Sequence, residues 1–97
     1  MVILHAYFSL LPNRVEESLA ACRVVRTASV AEQGCERYDF FQSPDDATKL
    51  VFVEEWTSKA DLDTHFLQSA FLTFRDTMEA NIAEPTEVRI FEASLLD

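Results

Sequence analysis

The sequence has very few of the residues that interrupt regular structure, with one glycine and three prolines among 97 residues. Flexible linkers, collagen-like repeats and low-complexity segments need many more of both and are excluded. No apolar run approaches the roughly 20 residues of a membrane-spanning helix, and the first residues lack the pattern of a signal peptide. We therefore expect a single domain over residues 1–97, located in the cytoplasm.

Basic side chains are also scarce. Eight lysines and arginines stand against 17 aspartates and glutamates, which gives a formal net charge of −9. A nucleic-acid surface needs a basic stripe, and an anionic membrane repels an acidic protein. We therefore expect neither a nucleic-acid partner nor a membrane partner.

Cysteine is rare as well, and Cys22 and Cys35 lie in apolar contexts without CxxC spacing. We interpret both as reduced thiols of the core. The sequence shows no metal-ligand cluster, phosphate-binding loop, nucleophile triad or flavin fingerprint. It therefore predicts no metal site and no cofactor.

The most informative stretch that is present is the run from Lys49 to Trp56. Its apolar, β-branched and aromatic residues predict a strand buried on both faces. Alternation places Glu54 on the same face as Phe52 and Trp56. Because a lone buried charge is costly, Glu54 must find a donor, stay neutral or border a cavity. A structural ion pair or a solvated strand end is the alternative interpretation.

A helix begins after this strand, since Ser58 with Asp61 three residues later forms a cap signal. This helix carries His65, so a carboxylate, an indole and an imidazole follow one another closely in the chain. Apolar residues continue at helical steps past a break at Gln68-Ser69. We expect two short helices or one kinked helix here, and the best candidate site of the sequence beside them.

The remaining chain alternates strands and helices. An earlier helix has a cap signal at Asn13 and should end near Gln33, because Gly34 suits the left-handed position after a helix. Four strands are predicted, over residues 2–10, 35–42, 49–56 and 88–93.

The order βαββαβ is the ferredoxin-like pattern, an α+β fold with a four-stranded antiparallel sheet and helices on one face. The first and third strands are apolar on both faces, so the uncovered face should pack on a second sheet. We therefore expect a homodimer, since a symmetric interface is the commonest solution.

Three further strand residues are candidates for the site. On the first strand the more polar alternating set, which includes His5, could face a cavity, although a lone histidine is more often structural. Tyr38 borders the expected cavity or is a core aromatic with its hydroxyl at the rim. Arg89 pairs with Glu36 or Glu54, or anchors an anionic ligand.

Three motifs together resemble the antibiotic biosynthesis monooxygenase domain family. They are Glu32-Gln33-Gly34-Cys35 with Tyr38, Phe52-Val53-Glu54-Glu55-Trp56 with His65, and Pro85 before the last strand. The resemblance covers nearly the whole chain. It implies a dimeric α+β barrel and, in several members, cofactor-free oxidation of quinols or anthrones by dioxygen.

Cofactor-free oxidation requires a base that deprotonates an electron-rich phenol. His65 has a suitable intrinsic pKa, and Glu54 could fix its tautomer and stabilise its charged form. We expect a monooxygenase that acts on a small aromatic substrate and dioxygen. The predicted catalytic residues are His65, Glu54 and Tyr38, and the predicted substrate-binding residues are Trp56, Phe71, Phe74, Arg89 and His5.

Other interpretations stay open. The chain is also similar to an isomerase of the same superfamily that processes a phosphorylated autoinducer, in which His65 would move a proton next to a carbonyl and Arg89 and Arg26 would anchor the phosphate. A non-catalytic dimeric module that binds a small molecule is a third interpretation. Haem degradation is not expected, because the first strand lacks an Asn and Arg75 lies about where the haem ligand would be.

Overall fold

A computed structural model describes all 97 residues. The elements follow the predicted order, with the second helical segment divided in two. They are β1 (Val2–Ser9), α1 (Val15–Ser29), β2 (Cys35–Gln42), β3 (Lys49–Trp56), α2 (Lys59–His65), α3 (Ser69–Glu79) and β4 (Glu87–Glu92). All strands pair antiparallel in one sheet of order β2-β3-β1-β4. The α+β ferredoxin-like prediction is confirmed.

Strand alternation divides the sheet into an inner face beneath the helices and an outer face. On β1 the inner set is Val2, Leu4, Ala6 and Phe8, and all four are buried. On β3 the inner set is Leu50, Phe52, Glu54 and Trp56, also buried. The predicted face of Glu54 is therefore confirmed. The prediction that the other β1 set, with His5, faces a cavity is wrong, because that set lies on the outer face.

The start of α1 differs from the prediction. Asn13 does not cap the helix, because Pro12–Arg14 forms a 3₁₀ turn and Arg14 takes the N-cap position without a side-chain hydrogen bond. Proline favours this, since its fixed φ suits the first position of a helical turn. The helix ends at Ser29, earlier than the predicted Gln33, and turns carry the chain to Gly34.

The helix after β3 begins as predicted. The Ser58 hydroxyl accepts a hydrogen bond from the Asp61 backbone N–H at 3.2 Å and donates one to the Asp61 carboxylate at 3.0 Å. The predicted break at Gln68-Ser69 is also confirmed, because α2 ends at His65 and α3 begins at Ser69. None of the helices has both the length and the apolar character needed to cross a membrane.

Both cysteines carry free thiols. Cys22 lies in the core and Cys35 is half-buried at the start of β2. Burial raises the pKa of the Cys22 thiol to about 12 and that of Cys35 to about 11. Both thiols are therefore protonated at neutral pH and poor nucleophiles.

Gly34 has the left-handed backbone that the sequence predicts, with φ of 80°. A Cβ at this position would lie 2.6 Å from Asp61 Cβ, which is closer than real atoms approach. Gly34→Ala should therefore lower the free energy of unfolding by about 1–3 kcal/mol. Urea unfolding measures this loss. The neighbouring Gln33→Ala, at a negative φ, is the control, and equal losses in both variants would contradict the strain argument.

Candidate active site

A cavity of about 310 Å³ lies between the inner face of the sheet and the α2–α3 segment. This volume is at the lower end of the range of roughly 300–1,000 Å³ for ligand pockets. Most of its lining is hydrophobic, with Phe66, Phe71 and Phe74 from the helical side. Tyr38 and Glu54 supply the ionisable groups of the sheet wall. The cavity therefore suits a small and largely apolar molecule.

Glu54 is the buried carboxyl group on this wall. It is 4% exposed and forms no ion pair, and Trp56 Nε1 donates a hydrogen bond to its Oε1 at 3.0 Å. Burial raises the pKa of Glu54 to about 7, against the opposing effect of the Trp56 hydrogen bond. The carboxyl group is therefore part ionised and part protonated near neutral pH.

Tyr38 lies beside Glu54, because the two residues are cross-strand partners on β2 and β3. Its ring packs edge-on against Phe52 and Trp56. Its hydroxyl lies 3.5 Å from His65 Nε2. Burial raises the pKa of Tyr38 well above its ordinary value, so the phenol stays protonated.

His65 is the last residue of α2 and is 1% exposed. It does not line the cavity, since its Nε2 faces the hydroxyl of Tyr38, which does. Its ring packs on Trp56, with ring centroids 4.8 Å apart. Burial lowers the pKa of His65, and the carboxylate of Glu32 opposes that shift. Direct contact with substrate, which the sequence analysis expects of His65, does not follow from this geometry.

The hydrogen-bond partner of the His65 ring is not the predicted Glu54. His65 Nδ1 lies 2.9 Å from Glu32 Oε1, whereas Glu54 is held by Trp56. Glu32, not Glu54, is therefore the group that fixes the imidazole. Glu32 is not one of the predicted site residues, although it opens one of the motifs that carry the family resemblance.

The predicted aromatic contacts divide into two groups. Phe71 and Phe74 line the cavity. Trp56 is 0% exposed and lies behind the wall, where it packs on His65 and binds Glu54. Trp56 therefore supports the site and does not contact a ligand. Phe66 also lines the cavity and is not among the predicted site residues.

His5 and Arg89 do not belong to the cavity. They are cross-strand partners on β1 and β4, on the outer face of the sheet. Arg89 forms no ion pair with Glu36 or Glu54, and its guanidinium lies 5.3 Å from the centroid of the Phe91 ring. The site prediction for both residues is wrong, because residues of their strand parity point away from the helices.

The rim of the cavity carries two charges that the sequence analysis does not assign to the site. Arg75 and Glu79 both lie on the exposed side of α3 and line the opening. Their opposite charges leave the rim close to neutral. No three His, Cys, Asp or Glu side chains of the protein converge in a way that could hold a metal ion.

Comparison with known proteins bears directly on this site. The profile of the antibiotic biosynthesis monooxygenase family matches residues 1–77, which include β1 to β3, Glu54, Tyr38 and His65. The chain belongs to this family. The family resemblance drawn from the motifs is thereby confirmed.

Two relatives of this protein match most of its length. The "Putative monooxygenase YcnE" of Bacillus subtilis is 27% identical over 88 residues, 91% of this chain and 93% of YcnE. The uncharacterised protein sll1783 of Synechocystis is 30% identical over 81 residues, 84% of this chain. The match spans only 55% of sll1783, so the chain covers about half the length of that relative.

Solved structures agree with the fold. A structure from Nitrosomonas europaea titled "Putative antibiotic biosynthesis monooxygenase" has a TM-score of 0.93 at 31% identity, over 96% of this chain and 98% of that one. Rv0793 from Mycobacterium tuberculosis has a TM-score of 0.90 at 28% identity, over 99% and 96%. Family membership supports a monooxygenase-like function in general terms.

Proposed function

We propose that the protein is a cofactor-independent monooxygenase that oxidises a small quinol- or anthrone-like aromatic with dioxygen. One observation carries the proposal: the apolar cavity has a buried carboxyl group on its wall, and the pKa of that group is about 7. A general base is most effective when its pKa lies near the working pH. Glu54 meets that condition at the place where the substrate would bind.

In the proposed reaction, Glu54 removes a proton from the bound anthrone and leaves an electron-rich anion. The anion passes one electron to dioxygen, and the resulting radical pair combines to a peroxide anion. This anion takes up one proton and becomes a hydroperoxide. Loss of water from the hydroperoxide leaves the quinone. The substrate supplies all the electrons, so the reaction consumes dioxygen without a further reductant.

The apolar walls support the first step. Phe66, Phe71 and Phe74 exclude water from the ring of a bound substrate and shield its anion from protonation. His65 serves this site through Tyr38, which lines the cavity and whose hydroxyl lies 3.5 Å from His65 Nε2. We accordingly propose Glu54 as the base that contacts substrate and His65 as a group that acts through Tyr38.

A phosphorylated substrate, as in the isomerase alternative, finds less support in the cavity. Arg26 is bound to Asp39 at 2.9 Å, and Arg89 lies on the outer face. The cation at the rim, Arg75, forms an ion pair with Asp76 at 3.3 Å. Because recognition of phosphate needs cationic donors, these contacts favour an uncharged aromatic.

Oxygen consumption by the purified protein tests the proposal. We expect uptake without added cofactor for at least one member of a panel of hydroquinones and anthrones, with product formed in equal amount to the oxygen consumed. Heat-denatured protein is the control for spontaneous oxidation. Folded protein that binds anthrone without oxygen uptake would contradict the proposal and support the binding-module alternative.

We also propose a homodimer that joins the outer faces of two sheets. No helix covers this face, which carries apolar residues from all four strands, namely Ile3, Tyr7, Phe41, Val51, Val53 and Phe91. Tyr7 is 41% and Phe41 is 56% exposed in the single chain. Contiguous exposed apolar surface of this kind marks an interaction site.

The dimer proposal predicts the effect of a charge on the outer face. Val51 lies between Tyr7 and Phe41 in the sheet, so Val51→Asp should convert the dimer to a monomer of 11.1 kDa. The matched control is Val24→Asp, at a position that is 68% exposed on α1. Light scattering after size exclusion measures the mass. A monomeric wild type, or a dimeric Val51→Asp, would contradict the proposed interface.

A further inference from the structure

A chain of three side chains connects the cavity wall with the protein surface. Tyr38 lines the cavity and its hydroxyl lies 3.5 Å from His65 Nε2. His65 Nδ1 lies 2.9 Å from Glu32 Oε1. Tyr38 and His65 are buried, whereas the side chain of Glu32 is 19% exposed. The chain therefore has one end in the cavity and one end at solvent.

The Glu32 carboxylate determines which ring nitrogen of His65 carries the proton. A carboxylate only accepts hydrogen bonds, so a neutral His65 must have its proton on Nδ1. Burial lowers the pKa of His65, which keeps the ring neutral in the resting protein. The lone pair of Nε2 then faces Tyr38 and accepts a hydrogen bond from its hydroxyl. The oxygen of Tyr38 keeps a lone pair for a donor on the cavity side.

The outer end of the chain opens into a polar depression. Its lining has no hydrophobic residue and consists of Glu32, Gln33, Asp61, Thr64 and Gln68. Glu32 lines this depression and its side chain is 19% exposed, so its carboxylate is accessible to solvent there. Glu32 can therefore exchange a proton with solvent while the cavity is occupied.

We propose that Glu32 is a positioning residue that orients His65 and completes a proton route from Glu54 through Tyr38 and His65 to the surface. The inference rests on the proposed function, in which Glu54 takes a proton from the substrate. That proton passes from Glu54 to the Tyr38 oxygen as the Tyr38 hydroxyl proton moves to His65 Nε2. The Nδ1 proton moves to Glu32, which releases it to water. At every transfer one bond to hydrogen breaks and one forms, and no residue of the route is oxidised or reduced.

The route answers a requirement of the cavity. A bound aromatic fills the opening and excludes water from Glu54, so the proton needs a path that does not cross the substrate. The transfer leaves His65 with its proton on Nε2. When the peroxide anion forms, a proton returns along the same residues and converts it to the hydroperoxide. This return restores the resting tautomer of His65.

The first test needs no turnover. Nitrogen NMR of the ligand-free protein, with His65→Gln used to assign the signals, reports which ring nitrogen of His65 is protonated. We expect the proton on Nδ1. A proton on Nε2 would overturn the inference, because that nitrogen could not then accept from Tyr38.

The second test separates proton transfer from the oxidation itself. Anthrone is mixed with the protein without oxygen, and absorbance follows the anthrone anion while an indicator dye follows proton release. In Glu32→Gln the amide oxygen still accepts from Nδ1, but the side chain cannot take up the proton. We expect the anion to form as in the wild type and proton release to slow at least about tenfold.

Steady-state kinetics complete the test. In Glu32→Gln, kcat should fall at least about tenfold with KM changed less than about twofold, since the residue does not contact substrate. Glu16→Gln, an exposed carboxylate on α1, is the matched control and should behave as the wild type. Unchanged proton release in Glu32→Gln would overturn the route. Absence of the anion in the wild type would instead contradict the proposed function, and the tautomer measurement would then decide on the role of Glu32.

Discussion

Replacement of Glu54 by glutamine is expected to lower kcat/KM for oxygen uptake by about 10²–10⁴-fold, the usual contribution of a positioned acid or base. Glutamine has nearly the same shape, and its amide oxygen can still accept the hydrogen bond that Trp56 donates to Oε1. The substitution therefore removes the ability to take up a proton and leaves the cavity wall in place.

The control for this prediction is Glu16→Gln, which removes an exposed carboxylate with no hydrogen-bond partner in the protein and should leave kcat/KM unchanged. Circular dichroism should show the same secondary structure for both variants and the wild type. If Glu54→Gln kept more than about a tenth of the wild-type kcat/KM, Glu54 would not be the base.

The second large effect of Glu54→Gln is on stability, and it depends on pH. The pKa of Glu54 is about 7 in the folded protein and has the ordinary value of 4.5 in the unfolded chain. Between these pH values the folded state binds more protons, so the free energy of unfolding falls as the pH rises. The contribution amounts to about 3 kcal/mol and is lost in full above pH 7 or so.

Glutamine does not titrate, so the free energy of unfolding of the variant does not fall for this reason as the pH rises. Urea unfolding at about pH 5 and about pH 8 measures the difference, and Glu54→Gln should gain about 2–3 kcal/mol over the wild type between the two, since the unfolded chain has already begun to lose its proton at pH 5. His65, whose lowered pKa weakens the fold on the acid side, titrates in both proteins and cancels in the comparison. A difference between the two proteins that does not change with pH would contradict a raised pKa of Glu54.

The face of Glu54 was predictable because strand alternation is a local property. Phe52, Glu54 and Trp56 share a side of β3 whatever the rest of the chain does. The same rule could not decide the side of His5. Both alternating sets of β1 contain apolar residues, and only the packing of the helices determines which set they cover. The site assignment of His5, and of Arg89 opposite it, therefore failed.

The contact between Glu32 and His65 had no local signal. Glu32 lies in the turn after α1 and His65 at the end of α2, 33 positions apart in the chain. Glu54 was the nearer carboxylate in sequence, but the indole of Trp56 on the same strand face engages it. The helices and strands followed from patterns within each segment, whereas this hydrogen bond depends on how the segments meet.

The proposed reaction depends on a base in the cavity with a pKa near 7. The most direct test is a titration of the Glu54 side chain by carbon NMR. Protein labelled at the glutamate carboxyl carbons gives one signal that is missing from Glu54→Gln, which assigns it. A titration midpoint near pH 7 is the predicted result. A midpoint near the ordinary value of 4.5 would show a carboxylate ionised throughout the neutral range and would contradict the account.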